Sequence, residues 1–221
     1  MVEKFFGGKM DRKCIIFLEI ICIGAVMKII NLHFLTFIIV YIVILGISYI
    51  IYRRKTKKFH TFLYWTLVEF YCLLFVKVTI LPICVWNSGT SEQIKKAFSR
   101  TGMVIQYIPF ARIEQYFYSR WGMVQLVGNI ILLMPIVVIM MWFSKKRYSN
   151  KYIILSILGI SVGIEGIQYM INCITSCPSH VTDINDIIFN VAGGILCLFI
   201  CKRIEKKFQI VPDMFCRKFL I

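Results

Sequence analysis

Residues 123–143 read MVQLVGNIILLMPIVVIMMWF, a run with no charge, followed at once by Lys145, Lys146 and Arg147. Crossing the hydrocarbon core of a bilayer takes about 20 predominantly apolar residues. This stretch is therefore a membrane span and the cationic cluster its flank. Backbone amides cannot go unsatisfied in hydrocarbon, so the run is predicted to be helical. Pro135 lies inside it, removes one backbone donor and is expected to kink the helix.

The same pattern repeats on both sides. Upstream, Cys14 to Ile30 is a short run carrying Glu19 and Lys28, Phe34 to Tyr52 ends in Arg53, Arg54, Lys55, Lys57 and Lys58, and Phe62 to Trp86 is long enough to tilt. Downstream come Tyr152 to Ile171 and Asp186 to Cys201, the latter closed by Lys202, Arg203, Lys206 and Lys207. The first run could be taken for a signal peptide. No small-x-small cleavage site follows it and a second apolar run starts almost immediately, so it is expected to be a retained span. The expected fold is an all-α, polytopic membrane helix bundle of about six spans. Residues 1–61 form an N-terminal helix pair with basic flanks, 62–204 a four-helix domain, and 205–221 a tail.

Composition agrees. Apolar residues make up 59% of the chain and charged residues 17%, against roughly 45–50% and 25% in soluble domains. A soluble domain of 221 residues has too small a core to hide that surface. The net charge of +15 sits in short clusters between apolar runs, without the basic, aromatic-interleaved stripe that nucleic acid would need, so nucleic acid is not an expected partner. The bilayer is. Most of the nine cysteines lie in or at the ends of apolar runs, where a thiol is a small hydrophobe. No CxxC pair and no His/Cys ligand spacing occurs, so no metal site or cofactor is expected.

Lysine and arginine set the orientation. With six spans and the N-terminus inside, 19 of the 26 basic residues fall in cytoplasmic segments, and five (Lys95, Lys96, Arg100, Arg112 and Arg120) fall outside. That bias predicts both termini in the cytoplasm.

With this orientation, polar residues gather in the outer leaflet. Gln125 and Asn129 lie one turn apart at the outer end of the fourth span, and Glu165 and Gln168 in the last turns of the fifth. Asp183, Asp186 and Asn190 step by three and four around the start of the sixth. Ionisable and polar groups within spans usually face the bundle interior or a wet cavity, which makes them site candidates. The acids have plainer explanations. The aspartates could cap the sixth helix, and Glu165 could form a structural ion pair with Lys77 or Arg112. Glu19 and Glu69 look like helix-pairing residues, and Lys28 is expected to snorkel outward. Gly159 and Gly163 form a GxxxG, and Gly193 and Gly194 sit in the sixth span; together they suggest close packing of spans five and six. Cys173 and Cys177 lie in the outer loop, where a disulfide is open to them, although four residues make a tight ring; two thiols is the alternative.

The stretches Tyr107-Ile108-Pro109-Phe110-Ala111-Arg112 and Gly128-Asn129-Ile130-Ile131-Leu132-Leu133-Met134-Pro135 resemble the first half of the VanZ-like family. Glu165-Gly166-Ile167-Gln168 and the run from Asp183 to Gly194 resemble its second half. The match spans roughly residues 62–204, and the order of its pieces is more specific than any one of them. The resemblance implies a bacterial cell-envelope protein associated with low-level resistance to the glycopeptide teicoplanin. It singles out Arg112, Asn129, Glu165, Gln168, Asp183, Asp186 and Asn190. Two positions depart from the family pattern. His180 stands where an arginine is common, replacing a fixed cation with one that titrates near neutrality. Asn185 stands where another acid is often found.

Three functions compete. The chain could be a non-enzymatic membrane protein that alters access of a glycopeptide to its target. It could be an intramembrane enzyme acting on a lipid-linked cell-wall precursor, with Glu165, Asp183 and Asp186 as acid-base or cation-binding groups. A transporter is the third, disfavoured because the cytoplasmic half looks too apolar to hold a second gate.

Overall fold

A computed structural model describes residues 27–31, 33–55, 59–93, 95–96, 105–111, 113–144 and 147–208. Five helical segments within them are long and apolar enough to cross a membrane. Most of the expected first span, together with Glu19, lies outside the described residues, as does the tail beyond Phe208. The last residues of that run, Met27–Ile30, form a strand, β1.

Helices α1 (Phe34–Lys55) and α2 (Phe59–Thr79) form an antiparallel pair. The Tyr41 hydroxyl donates to the Thr66 carbonyl at 3.3 Å, and the Ser48 hydroxyl donates to Glu69. Phe70 meets Phe37 and Tyr41 edge-on. Glu69 thus has the helix-pairing role expected of it. Phe34, Leu35, Ile42, Val43 and Ile50 on α1 are all more than half exposed. Water would penalise that surface heavily, whereas lipid is its natural solvent.

The run from Phe62 to Trp86 is not one helix. Helix α2 stops at Thr79, and Ile83–Trp86 is a strand, β2, antiparallel to β1 with Ile29 opposite Cys84. Pro82 explains the stop: it has no amide hydrogen, and its ring disfavours helical geometry in the residue before it.

Strand β3 (Ile105–Gln106), a short helix α3 (Glu114–Tyr118) and α4 (Arg120–Leu132) follow. The proline-containing span breaks as expected, into α4, then α5 (Met134–Val138), then a π-helical turn at Ile139–Phe143. Its freed carbonyls find partners. Leu133 N donates to Ile131 O, the Tyr71 hydroxyl to Leu132 O at 2.8 Å, and the Cys197 thiol to Met134 O at 3.5 Å.

Helix α6 (Asn150–Thr175) and α7 (Ile184–Phe208) complete the bundle, with strand β4 (Thr182–Asp183) between them, parallel to β3. Leu133, Val137, Ile153, Ile157, Ile164, Cys197, Leu198 and Cys201 form the core where α4, α5, α6 and α7 meet. A Cβ on Gly193 would lie 1.8 Å from the Ile130 carbonyl oxygen, so α7 and α4 touch backbone to backbone there. At Gly194 a Cβ would press on the Ile157 side chain of α6.

Gly194 thus sits where span six meets span five, whereas the other glycines do not. Gly193 serves the contact with the fourth span rather than the fifth. Gly159 and Gly163 have no atom among the described residues within 4 Å of a Cβ position, so they do not bring α6 against α7. Both are exposed among the described residues.

Candidate functional site

The bundle has two unlike ends. At one, Arg147 and Lys202 line a recess with Tyr148 and Glu205, and the Trp142 indole donates to Glu205 at 3.2 Å. The other end carries both small sheets and the α6–α7 loop.

That loop is held by one side chain. Asn172, buried at the end of α6, donates from Nδ2 to His180 O (2.6 Å), and its Oδ1 accepts from the amides of Ser179 and His180 (2.9 and 3.1 Å). Ser176 takes a left-handed conformation (φ 51°) to turn the chain out of the helix. The His180 ring donates from Nε2 to the Ile80 carbonyl at 3.0 Å. Burial lowers its pKa from the ordinary value, an effect the carbonyl opposes. His180 is thus built in as a neutral donor to backbone. It does not reproduce the fixed positive charge of an arginine.

The loop delivers Asp183 to the start of α7, where it is the N-cap. Its Oδ1 accepts from the Asn185 amide at 2.8 Å, the bond expected of a capping aspartate. Its Oδ2 accepts from the Tyr116 hydroxyl at 3.1 Å. Burial first, then the charges of Asp186 and Asp183, raise the Tyr116 phenol above its ordinary pKa, so it remains a donor.

Glu165, only 4% exposed, reaches across from α6 and accepts the Asp183 amide on Oε2 at 2.9 Å. Asp183 and Asp186 stand at the spacing of a capping box, in which the second acid would reach back to that same amide. Glu165 occupies it instead. Asp186 turns towards α4, where both its oxygens accept from Gln125 Nε2 at 3.3 and 3.2 Å. Asn129 approaches Asp186, but its buried Nδ2 makes no full hydrogen bond among the described residues.

Of the residues singled out from sequence, Asn129, Glu165, Asp183 and Asp186 therefore converge, together with Gln125. Arg112 lies outside the described residues. Two others sit apart from the cluster. Gln168 donates to the Thr79 carbonyl at 2.7 Å and ties α6 to the end of α2. Asn190 donates to Ser161 at 3.0 Å, deep between α6 and α7. Among the described residues no cation pairs with Glu165; Lys77 instead lies 5.4 Å over the Phe37 ring. Nor are Cys173 and Cys177 joined. Cys173 is exposed, within hydrogen-bonding reach of Tyr169, whereas Cys177 is fully buried beside Cys84.

Tyr116, Asn172 and Ser161 were not anticipated. Nothing in their spacing announces them, since each acts through an element distant in the chain. Asn185 is fully buried, and its Oδ1 accepts from Phe110 N at 2.7 Å. Phe110 sits at φ 60°, a strained conformation for an aromatic residue, and Asn185 helps to hold it there. The Asn185 Nδ2 and the Asn190 Oδ1 are buried without partners among the described residues.

A pocket of about 270 Å³ opens sideways between α6 and α7. Its walls are Ile105, Val162, Gly166, Tyr169 and Ile187, with Glu165 among them as the acidic group. The site thus pairs a buried carboxylate with an apolar opening that faces the surroundings of the bundle.

No curated protein and no solved structure matches the chain. The family model described as VanZ/LLP1 matches residues 68–205, more than half of the sequence, and spans the helices that build the cluster. This membrane protein belongs to the VanZ-like family.

Proposed function

We propose that the protein works in the bacterial cell envelope with its carboxylate cluster facing outward, and lowers susceptibility to glycopeptides such as teicoplanin by binding a ligand there. The basic clusters at the opposite end of the bundle support that orientation through the positive-inside bias. One observation carries the binding role: Glu165, buried on the wall of a laterally open apolar pocket, lies within electrostatic reach of Asp183 and Asp186 and has no described cation beside it. Three carboxylates suit a ligand that brings hydrogen-bond donors or an ammonium group. The pocket suits one that also carries an apolar chain, such as a lipid-linked cell-wall precursor or the glycopeptide itself.

The test is the minimum inhibitory concentration of teicoplanin in strains that lack the gene, express it, or express Glu165→Gln. Expression raises it at least twofold, and Glu165→Gln at equal membrane abundance returns it to the level of the deletion. An unchanged value across a wide range of expression sinks the proposal.

The same pocket favours a second possibility, an intramembrane enzyme in which Glu165 and Asp186 move protons on a lipid-linked substrate. Among the described residues no three His, Cys, Asp or Glu group to hold a metal ion, so the geometry lends no support to a cation-dependent version. Turnover of labelled precursor by purified protein, abolished in Glu165→Gln, separates catalysis from binding.

A further inference from the structure

Two observations outside the carboxylate cluster meet at Cys177. Strand β2 is stitched to the α6–α7 loop on either side of this residue: the Trp86 indole donates to Ser176 O at 3.0 Å, and Cys84 N donates to the Ser179 hydroxyl at 2.9 Å. Between those bonds the Cys177 side chain is fully buried, and its sulfur lies within hydrogen-bonding reach of the Cys84 sulfur. The structure holds both as thiols. Their backbones are already tied together by bonds that disulfide formation would leave intact, so the closing movement falls to the two side chains.

We infer that Cys84 and Cys177 form a disulfide in the mature protein, clasping the β1–β2 sheet to the loop that carries His180 and Asp183. The location favours it. This end of the bundle is opposite the basic clusters, and the extracytoplasmic face is where disulfides persist. The oxidant is the disulfide of an extracytoplasmic thiol oxidase. The partly exposed Cys84 attacks it as a thiolate, forming a mixed disulfide and releasing one oxidase thiolate, which takes up a proton. Cys177 then attacks the Cys84 sulfur, its proton passing to the second oxidase sulfur as that leaves. Two protein thiols become one disulfide and the oxidase is reduced to its dithiol. Burial, and next the neighbouring Cys84, push the Cys177 thiol up to about 11, and the partly exposed Cys84 is the one an oxidase can reach first.

The experiment uses full-length protein expressed in a host with that oxidase, alkylated in intact cells before solubilisation. Digestion without reductant yields a peptide pair linked through Cys84 and Cys177, and the linkage survives in Cys173→Ser. Reduction lowers the thermal unfolding midpoint in detergent by on the order of 10 °C in wild type and leaves C84S/C177S unchanged. Alkylation at both positions with no linked pair overturns the inference. So does a linkage between Cys173 and Cys177. A membrane-impermeant maleimide on exposed Cys173 tells why it failed: labelling from outside faults the pairing, and protection faults the orientation. Teicoplanin susceptibility does not enter, so this outcome is separate from that of the binding proposal.

Discussion

His180 shows how burial and one backbone contact set the chemistry of a single side chain. The imidazole is a neutral donor to the Ile80 carbonyl, and burial holds its pKa below the ordinary 6.5. In the unfolded chain the ring protonates near 6.5; in the folded chain it does so only at lower pH. Between those values the unfolded state binds more protons, so stability present above about pH 6.5 is lost as the pH falls. The unfolding midpoint in detergent should therefore drop between pH 7.5 and 5.5, and His180→Gln, which keeps an N–H donor, should flatten that drop. Equal slopes in the two proteins would mean that other groups set the pH dependence. Glu165 makes a related point. Its spacing from Gln168 suggested a shared face, yet Glu165 joins the cluster while Gln168 caps α2, because a helix face three residues wide spans two neighbours.

At the scale of elements, the membrane helices were legible and their ends were not. Apolar runs predicted spans at 34–52, 123–143, 152–171 and 186–201, and helices occupy all four. Hydrophobicity cannot distinguish the last turn of a helix from a strand, so Ile83–Trp86 was read as more span. Pro82 was the local signal, and its partner β1 came from a distant run. Helix contacts were hidden for a similar reason: GxxxG reports that close approach is allowed, not where it happens. Substitution separates the glycines. Gly193→Ala drives a methyl into the Ile130 carbonyl and should cost about 1–3 kcal/mol or more. Gly163→Ala meets open space and should be neutral or stabilise by about 0.5–1 kcal/mol. Denaturation in detergent, with yield from membranes as a second readout, decides; equal losses would count against the α4–α7 approach.

The whole molecule is polarised. One end has cationic clusters beside Trp142 and Tyr148, while the other has two small sheets, a pinned loop and the carboxylates. Exposed aromatics at Tyr107, Tyr118 and Trp121 sit at this second end, as interfacial anchors do. If it faces outward, an impermeant maleimide should label Cys173 on intact cells, and a protease site inserted at 56–58 should be cut only after permeabilisation. The reverse pattern would invert the molecule and remove the proposed site from the reach of any extracellular glycopeptide.

Sequence alone determined that this chain lives in a bilayer, because twenty uncharged apolar residues have one favourable solvent, and that solvent forces their backbone into helices. It also located the acids, since an ionisable side chain in such a run stands out against its neighbours. Tertiary structure decided what each acid touches. Asp183 took the helix cap, Glu165 took the amide that a capping box would assign to Asp186, and Asp186 was released towards Gln125 on α4. That exchange of partners depends on three helices meeting at one end of the bundle, and no local spacing encodes it.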